Sequence, residues 1–341
     1  MPDVRPVLTS VDELLAGAED RVTLDGPGKS GAILERVTIG GAPYVVKHLD
    51  RDADWSLRIE GAADVPGGPP VELWRRGVLD ALPDCFNQPI VAVAHDHDRP
   101  QRSALLMHDV GRWLVPADDT VVPLDQHERF LDHMAALHAR FWDAGPDLAV
   151  VPPADRYLEL SPRMAAAEAA LGSDHLVPRL VAQGWPLLER VAPRAAAVVV
   201  PLVHEPGPLV DALATTPQTF VHGNWKLDNL GTDDGERTVL LDWELPGIGA
   251  PVSDLAWYLA INCRRLPTPK EEAIAAYRAA LERHGVATEP WWDRQLALCL
   301  LGALVQFGWE KALGGYDDEL AWWEERVVAA APLLGHDGVR G

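Results

Sequence analysis

The stretch Val221–Gly231, VHGNWKLDNLG, most constrains what this chain can fold into, together with LLDWE at Leu240–Glu244. The first stretch is predicted to be a loop after a short strand, and the spacing of four of its polar side chains carries the argument: His222, Asn224, Lys226 and Asn229. A short hairpin would then bring Asp242 back to the same place. A group to hold an attacking hydroxyl, an Asn and an Asp for magnesium, and a nearby Lys are what phosphoryl transfer requires.

The spacing matches the protein-kinase catalytic loop H-x-D-x-K-x-x-N, which is followed by a second Asp at a strand end. With Gly after the His and Trp after the second Asp, the chain resembles the aminoglycoside phosphotransferase / choline kinase-like family of small-molecule kinases. The resemblance implies a two-lobed α+β protein kinase-like fold. Residues 1–107 would form a small antiparallel-β lobe that binds nucleotide. Residues 108–341 would form a larger, mainly helical lobe that holds the catalytic loop and the acceptor pocket.

The same resemblance implies ATP and Mg²⁺ as cofactors and assigns roles to individual residues. Three side chains fall on catalytic positions: His222, Asn224 and Lys226. Asn229 and Asp242 would hold the metal, and Glu244 would support the metal or an amino group of the acceptor. Asp254 would hydrogen-bond the backbone of the catalytic loop, although an Asp in the first turn of a helix also complements the helix dipole.

One position departs from the family's pattern, because Asn224 stands where the family has its catalytic Asp. An amide can orient a hydroxyl but cannot take its proton at neutral pH. General-base contributions are typically about 10²–10⁴-fold, so transfer should slow strongly while nucleotide binding persists. Asp228 lies four residues further along and is expected to point elsewhere. Either Asn224 is an engineered replacement, or the chain is a kinase relative that binds nucleotide without efficient transfer.

The N-terminal part carries strand and glycine-loop patterns typical of a nucleotide-binding lobe. Residues with β-branched side chains predict three strands: Val22–Asp25, Ala32–Ile39 and Tyr44–Leu49. Glycines at 26, 28 and 31 would let backbone N–H groups approach phosphate, with Gly28, Ser30 and Gly31 as contacts. By itself the loop would be an ordinary tight turn. Lys47 on the third strand is predicted to contact phosphate, since two of only five lysines fall on kinase positions.

Two further nucleotide contacts are predicted around this sheet. Helical spacing predicts a helix over Pro70–Leu82, and Glu72 is nominated for an ion pair with Lys47, with Glu60 as the fallback. The alternative for Glu72 is an exposed first-turn carboxylate that complements the helix dipole. By the family resemblance, the interlobe hinge at LLMHDVG would meet the adenine through three residues: Met107, His108 and Val110.

Composition limits the partners that this chain can have. A formal charge of −21 argues against nucleic acid and anionic membranes as partners, and 48% apolar residues indicate a packed globular protein. The N-terminus lacks the pattern of a signal peptide, and three widely spaced cysteines favour a reducing compartment, so a cytoplasmic location is predicted. The predicted function is phosphoryl transfer from ATP to a hydroxyl of a small molecule, such as an amino sugar or amino alcohol. The alternative is a nucleotide-binding pseudokinase that serves as a sensor or scaffold.

Overall fold

The computed structural model describes residues 5–24, 30–59 and 62–335, so the predicted site residues Gly28 and Glu60 lie outside the described residues. The strands are β1 (Ala18–Thr23), β2 (Ile33–Ile39), β3 (Ala42–Asp50), β4 (Phe86–Asn87), β5 (Ile90–His95), β6 (Arg102–His108), β7 (Thr219–Val221), β8 (Leu230–Thr232), β9 (Thr238–Leu240) and β10 (Gly247–Gly249). The helices are α1 (Val11–Leu14), α2 (Pro69–Arg75), α3 (Leu124–Arg140), α4 (Pro153–Leu158), α5 (Pro162–Ala170), α6 (Leu176–Val191), α7 (Pro193–His204), α8 (Gly207–Ala214), α9 (Val252–Ile261), α10 (Lys270–Arg283), α11 (Trp292–Leu313) and α12 (Asp318–Ala330). Short 3₁₀ turns lie at Trp55–Arg58, Val78–Asp80, Gly111–Trp113, Pro146–Leu148, Leu227–Asn229 and Ala331–Gly335.

An antiparallel sheet of five strands forms the N-terminal part, in the order β1-β2-β3-β6-β5. The three predicted strands are all present, each displaced by a few residues at its ends. Successive side chains of β3 alternate between the faces, so Val46 is fully buried while Lys47 points to the other side. In the register, Lys47 lies between Leu34 of β2 and Leu105 of β6. The sheet therefore presents this lysine from its middle strand.

The helix after the sheet's third strand is shorter than predicted. A helix was predicted over Pro70–Leu82, but only its first half is helical, as α2, which ends before Gly77. Gly77 takes a left-handed backbone conformation with φ of 68°, and a separate 3₁₀ turn follows it. A glycine that can adopt this conformation readily stops a helix, because the left-handed residue breaks the i→i−4 hydrogen-bond pattern.

Helix α11 forms the centre of the helical part. Its 22 residues are apolar and long enough to cross a bilayer by length and composition, but 78% of the apolar window is buried inside the protein. It packs against α6, α9 and α12, as the core helix of a helical lobe does. The mixed β-rich and helical architecture agrees with the predicted α+β class.

Prolines mark the starts of three helices in the helical part. Helices α7 and α8 form in the proline-containing stretch that leads to β7. Helix α10 follows Pro269, and no side chain caps its first turn. Prolines occupy the first turns of α7 and α8, where the missing N–H costs nothing.

Two small sheets position the loop that follows β7. Strand β10 pairs antiparallel with β7, and the hairpin of β8 and β9 is extended by β4, which pairs parallel with β9. Strand β7 is completely buried, so the loop leaves the core at a fixed point. The hairpin then returns the chain to that point, as the sequence predicts.

Candidate active site

The loop between β7 and β8 is held by close packing on the segment after Asp242. Gly223 has a φ of 77°, which side chains other than glycine rarely adopt. A Cβ at this position would overlap the carbonyl oxygen of Leu245 and lie 2.9 Å from its carbonyl carbon. The glycine in HGN is therefore required both by backbone conformation and by the approach of a neighbouring backbone.

Asp254 holds the start of the same loop from helix α9. Its two carboxylate oxygens accept hydrogen bonds from the backbone N–H groups of His222 and Gly223, each at 2.8 Å. The ring of His138 lies 3.1 Å from one of these oxygens and 2.6 Å from the hydroxyl of Tyr277. Burial opposes ionisation of Asp254, but the contacts with His138 and His222 together outweigh burial, and the pKa of the carboxyl is lowered. The backbone contact that the family resemblance implied is present.

His222 braces the loop from within and does not line the cavity described below. Its Nδ1 accepts the N–H of Asn224 at 3.2 Å, so Nε2 carries the proton and donates to the carbonyl of Leu241 at 3.0 Å. Complete burial lowers the pKa of His222 to about 4, which keeps the ring neutral. Both ring nitrogens of His222 are thus engaged with the backbone, and its predicted catalytic role stays a prediction.

Lys47 meets the end of the β8–β9 hairpin. Its ammonium forms ion pairs with Asp242 and, at 2.8 Å, with Glu244. Burial disfavours the charged form of Lys47, but the two carboxylates outweigh burial and raise its pKa. The same contacts hold the pKa of Asp242 well below its usual range, against the effect of burial. Burial and the charge of Asp242 raise the pKa of Glu244.

Asp242 also contacts the catalytic loop. The side-chain amide of Asn224 donates to Asp242 at 3.3 Å, and the ammonium of Lys226 lies 3.9 Å from the same carboxylate oxygen. The side-chain amide of Asn229 donates to the backbone carbonyl of Asn224 at 3.0 Å. Asp242 has a φ of 71°, a left-handed conformation that an Asp keeps only where its surroundings enforce it. Lys47, distant in sequence, therefore converges with both metal-binding candidates on one place.

Glu72 does not join this cluster. Its carboxylate accepts from Arg75 and Arg76 at 2.6 to 2.7 Å, and these hydrogen bonds lower its pKa although burial acts the other way. The predicted pair of Glu72 with Lys47 is therefore wrong. Two arginines one turn further along the chain satisfy the carboxylate locally, and Glu244 takes the place beside Lys47.

A cavity of about 580 Å³ connects these groups with the hinge, and its volume lies in the range of ligand-binding pockets. Its wall includes residues of three regions: Ser30, Lys47, Met107, His108, Val110, Asn224, Lys226, Asn229, Asp242 and Glu244. The backbone N–H of His108 donates a hydrogen bond to the carbonyl oxygen of Pro89 at 2.9 Å, so this N–H already has a partner within the protein. Most of the predicted site residues thus share one cavity.

The described end of the glycine-rich loop contributes Ser30 but not Gly31 to the wall. The hydroxyl of Ser30 donates to Asp54 at 2.9 Å. Gly31 has a φ of 105°, and a Cβ there would lie 2.7 Å from the carbonyl oxygen of Ala53 and 2.9 Å from the ring of His175. The close approach of Ala53 and His175 therefore requires a glycine at position 31. Because Gly31 does not line the cavity, its position does not support the predicted contact with phosphate.

Comparison with known proteins identifies the family of this chain. The model of the phosphotransferase enzyme family matches residues 36–295, which is more than half of the chain and includes both the sheet and the catalytic loop. The chain belongs to the phosphotransferase enzyme family. No curated protein sequence matches it significantly.

Several solved structures are similar to this chain over nearly its whole length. A thermostable mutant of aminoglycoside phosphotransferase APH(4)-Ia, in ternary complex with ADP and hygromycin B, is 13% identical; the match covers 96% of this chain and 98% of that one, with a TM-score of 0.48. The macrolide 2'-phosphotransferase type I is 18% identical, with 98% and 100% covered and a TM-score of 0.47. The choline kinase LicA from Streptococcus pneumoniae is 12% identical, with 94% and 97% covered and a TM-score of 0.49.

The oxygen atoms of Asp242 and Asn229 would fit a magnesium ion that is also bound by phosphates. Asp242 offers carboxylate oxygens, and Asn229 donates through its amide nitrogen, which leaves its amide oxygen as the ligand atom. Mg²⁺ usually takes one or two protein oxygens together with water and substrate phosphates. In the described part of the chain, no cluster of three or more His, Cys, Asp or Glu side chains could hold a metal by itself.

Two buried side chains of the cavity with an unpartnered polar atom escaped the sequence analysis: Glu159, which follows α4, and Trp257 of α9. Glu159 is 8% exposed, and neither its Oε2 nor the indole N–H of Trp257 has a hydrogen-bond partner among the described residues. No motif surrounds Glu159, and a lone Glu near a short helix gives no signal in a single sequence.

Proposed function

We propose that this protein transfers the terminal phosphoryl group of ATP to a hydroxyl group of a small molecule. Family membership supports the general class of reaction. The observation that carries the proposal is the convergence of Lys47, Lys226, Asn229 and Asp242 around one cavity, although Lys47 comes from a different part of the chain. Phosphoryl transfer relies on positioned charges around the phosphates, and these groups supply them.

Each of these groups has a proposed part in the reaction. The ammonium of Lys47 binds phosphate oxygens, and it leaves the carboxylates of Asp242 and Glu244 when the nucleotide arrives. Lys226 neutralises charge on the phosphoryl group during transfer. The amide of Asn224 orients the attacking hydroxyl. The adenine lies against the hinge at Met107 and Val110.

Magnesium is the metal that we propose, held by Asp242 and Asn229. When bound, it would neutralise phosphate charge and align the transferred group. Asp254 and His222 keep the loop in the geometry that positions Asn229. Asp254 accepts hydrogen bonds from the loop backbone, and the ring of His222 donates to the carbonyl of Leu241. The cytoplasm is the proposed location, because it supplies ATP and suits three free cysteines, all within the described residues.

The acceptor that we propose carries an amino group as well as a hydroxyl, as an amino sugar or amino alcohol does. Asp228 and Glu310 add carboxylates to the cavity wall. Trp257, Phe307 and Trp309 add aromatic faces, on which a cationic group or the body of a ring can rest. The net charge of −21 draws cations toward the protein as a whole.

A second candidate function is nucleotide binding without transfer, as in a sensor or scaffold. The observation that favours it is Asn224, whose amide cannot accept a proton and instead donates to Asp242. Both candidates predict binding of MgATP, so binding alone cannot distinguish them.

The experiment that separates these candidates measures MgATP affinity and ADP formation in the natural protein and in Asn224→Asp. Acceptors such as hygromycin B, choline and a macrolide are offered in turn, and water serves as the background acceptor. Acceptor-dependent ADP formation, with MgATP affinity equal in both proteins, supports the phosphotransferase. Tight MgATP binding without ADP formation in either protein supports the binding function. Absence of MgATP binding contradicts both.

A further inference from the structure

The feature that the proposed mechanism leaves unused is the carboxylate of Glu159. This side chain is 8% exposed and lies in the wall of the same cavity as Asn224, Lys226 and Asp242. Among the described residues, its Oε2 is the only buried carboxylate oxygen that lacks a hydrogen-bond partner. Buried polar atoms without partners are rare in folded proteins because they forfeit hydration, so each one requires an explanation, and a catalytic role is one.

The surroundings of Glu159 are apolar on one side and charged on the other. Leu160, Trp257 and Phe307 line the cavity with it, and burial is the main cause that raises its pKa to about 8. The negative charges of Glu244 and Asp242 raise this pKa further, while Lys226 lowers it. Glu310 of α11 also lines the cavity. A carboxyl group whose pKa lies near neutrality can exchange a proton during a reaction.

The other carboxylates that line the cavity already have partners. Asp242 and Glu244 pair with Lys47, Asp109 pairs with Arg36, and Glu310 pairs with Lys311. Asp228 lies 3.5 Å from Arg265. Each of these would have to abandon a partner before it could take a proton from an acceptor.

We propose that Glu159 is a catalytic residue that accepts the proton of the acceptor hydroxyl, the role that the amide of Asn224 cannot perform. This inference rests on the proposed phosphotransferase function. In the step, the acceptor oxygen forms a bond to the terminal phosphorus while the bond from that phosphorus to the bridging oxygen of ADP breaks. The hydroxyl proton passes to the carboxylate of Glu159, and ADP leaves with the electron pair of the broken bond. The proton returns to water when the product departs.

The test compares steady-state kinetics of the natural protein, Glu159→Gln and the double variant Glu159→Gln/Asn224→Asp. Glu189→Gln, an exposed residue on α6, controls for the loss of one carboxylate. MgATP is the donor, and hygromycin B, choline and water are the acceptors. We expect kcat of Glu159→Gln to fall about 10²–10⁴-fold while the KM for MgATP and the control variant stay unchanged. The carboxylate restored at residue 224 should recover at least tenfold.

The pH profile adds a readout that a merely structural role would not move. In the natural protein the rate should rise with pH as Glu159 loses its proton near pH 8, and this rise should disappear in Glu159→Gln. If thermal melting shows that Glu159→Gln does not fold, Glu159→Asp serves instead, because it keeps the carboxylate on a shorter side chain. Glu159→Asp should lower kcat at least tenfold, and its rate should still rise with pH.

Several results would overturn the role of Glu159 alone. They are a kcat within threefold of the natural value in Glu159→Gln or Glu159→Asp, a rise confined to the acceptor KM, or a pH profile that persists unchanged in Glu159→Gln. Absence of ADP formation by a natural protein that binds MgATP would instead overturn the proposed function, and this inference with it.

Discussion

Replacing Gly223 with Ala tests the packing that holds the catalytic loop. A left-handed backbone costs a residue with a Cβ about 1–2 kcal/mol, and Gly→Ala recovers about 0.4–1 kcal/mol through the unfolded chain. Gly17 has nearly the same φ, 75° against 77°, but a Cβ there would meet nothing within 4 Å. At Gly223 the added carbon overlaps the backbone of Leu245, so forced displacement adds about 1–3 kcal/mol.

The assay is urea unfolding of both single variants, together with their affinity for MgATP. Gly17→Ala should lose roughly 1 kcal/mol and keep its affinity, because it touches only the turn before β1. Gly223→Ala should lose 1–3 kcal/mol more than Gly17→Ala, and its MgATP affinity should fall, because Leu245 directly follows Glu244 beside Lys47. Equal losses of stability in the two variants would refute the argument from packing.

Three further predictions concern charge, metal and pH. Lys47→Met should cost about 3 kcal/mol in urea unfolding, because Asp242 and Glu244 are left together without their cation, and unchanged stability would contradict this. Removal of Mg²⁺ with EDTA should weaken nucleotide binding measured by calorimetry, and equal affinity with and without metal would count against the proposed metal site. Burial lowers the pKa of His127 from an ordinary 6.5 to about 4, so the unfolded chain binds a proton first as pH falls. Stability should therefore decline from pH 6.5 toward 4 more steeply in the natural protein than in His127→Gln; parallel pH curves would disprove it.

The core of the candidate site could be predicted because its parts are local in sequence. His222, Asn224, Lys226 and Asn229 lie within eight residues, so the short loop fixes their mutual arrangement, and a hairpin is the simplest way to return Asp242. The role of each side chain within the loop was harder to predict. His222 turns inward because two backbone groups need partners, a demand that the sequence does not display.

Partners distant in sequence set the limit of prediction. Glu72 had the expected residue type in the expected helix, but it lies too far from Lys47 in the fold to pair with it, and its neighbours Arg75 and Arg76 hold its carboxylate instead. Lys47 pairs instead with Glu244, which the sequence analysis had assigned to metal or acceptor. Glu159 went unnoticed because only the packing of α4 against the rest of the helical part turns an isolated Glu into a cavity residue.

The pairing of β4 with β9 means that the molecule cannot be cut where the chain passes from sheet to helices. Phe86 and Asn87 precede two strands of the N-terminal sheet, yet they are bonded to the catalytic hairpin, and Asn87 donates to Asp233 at 2.9 Å. A cut at residue 107 would separate β4 from the β8–β9 hairpin and leave β9 at an unpaired edge of its sheet. A chimera that exchanges the N-terminal sheet between relatives must therefore leave residues 85–88 with the helical part. The boundary between the two parts crosses the chain three times.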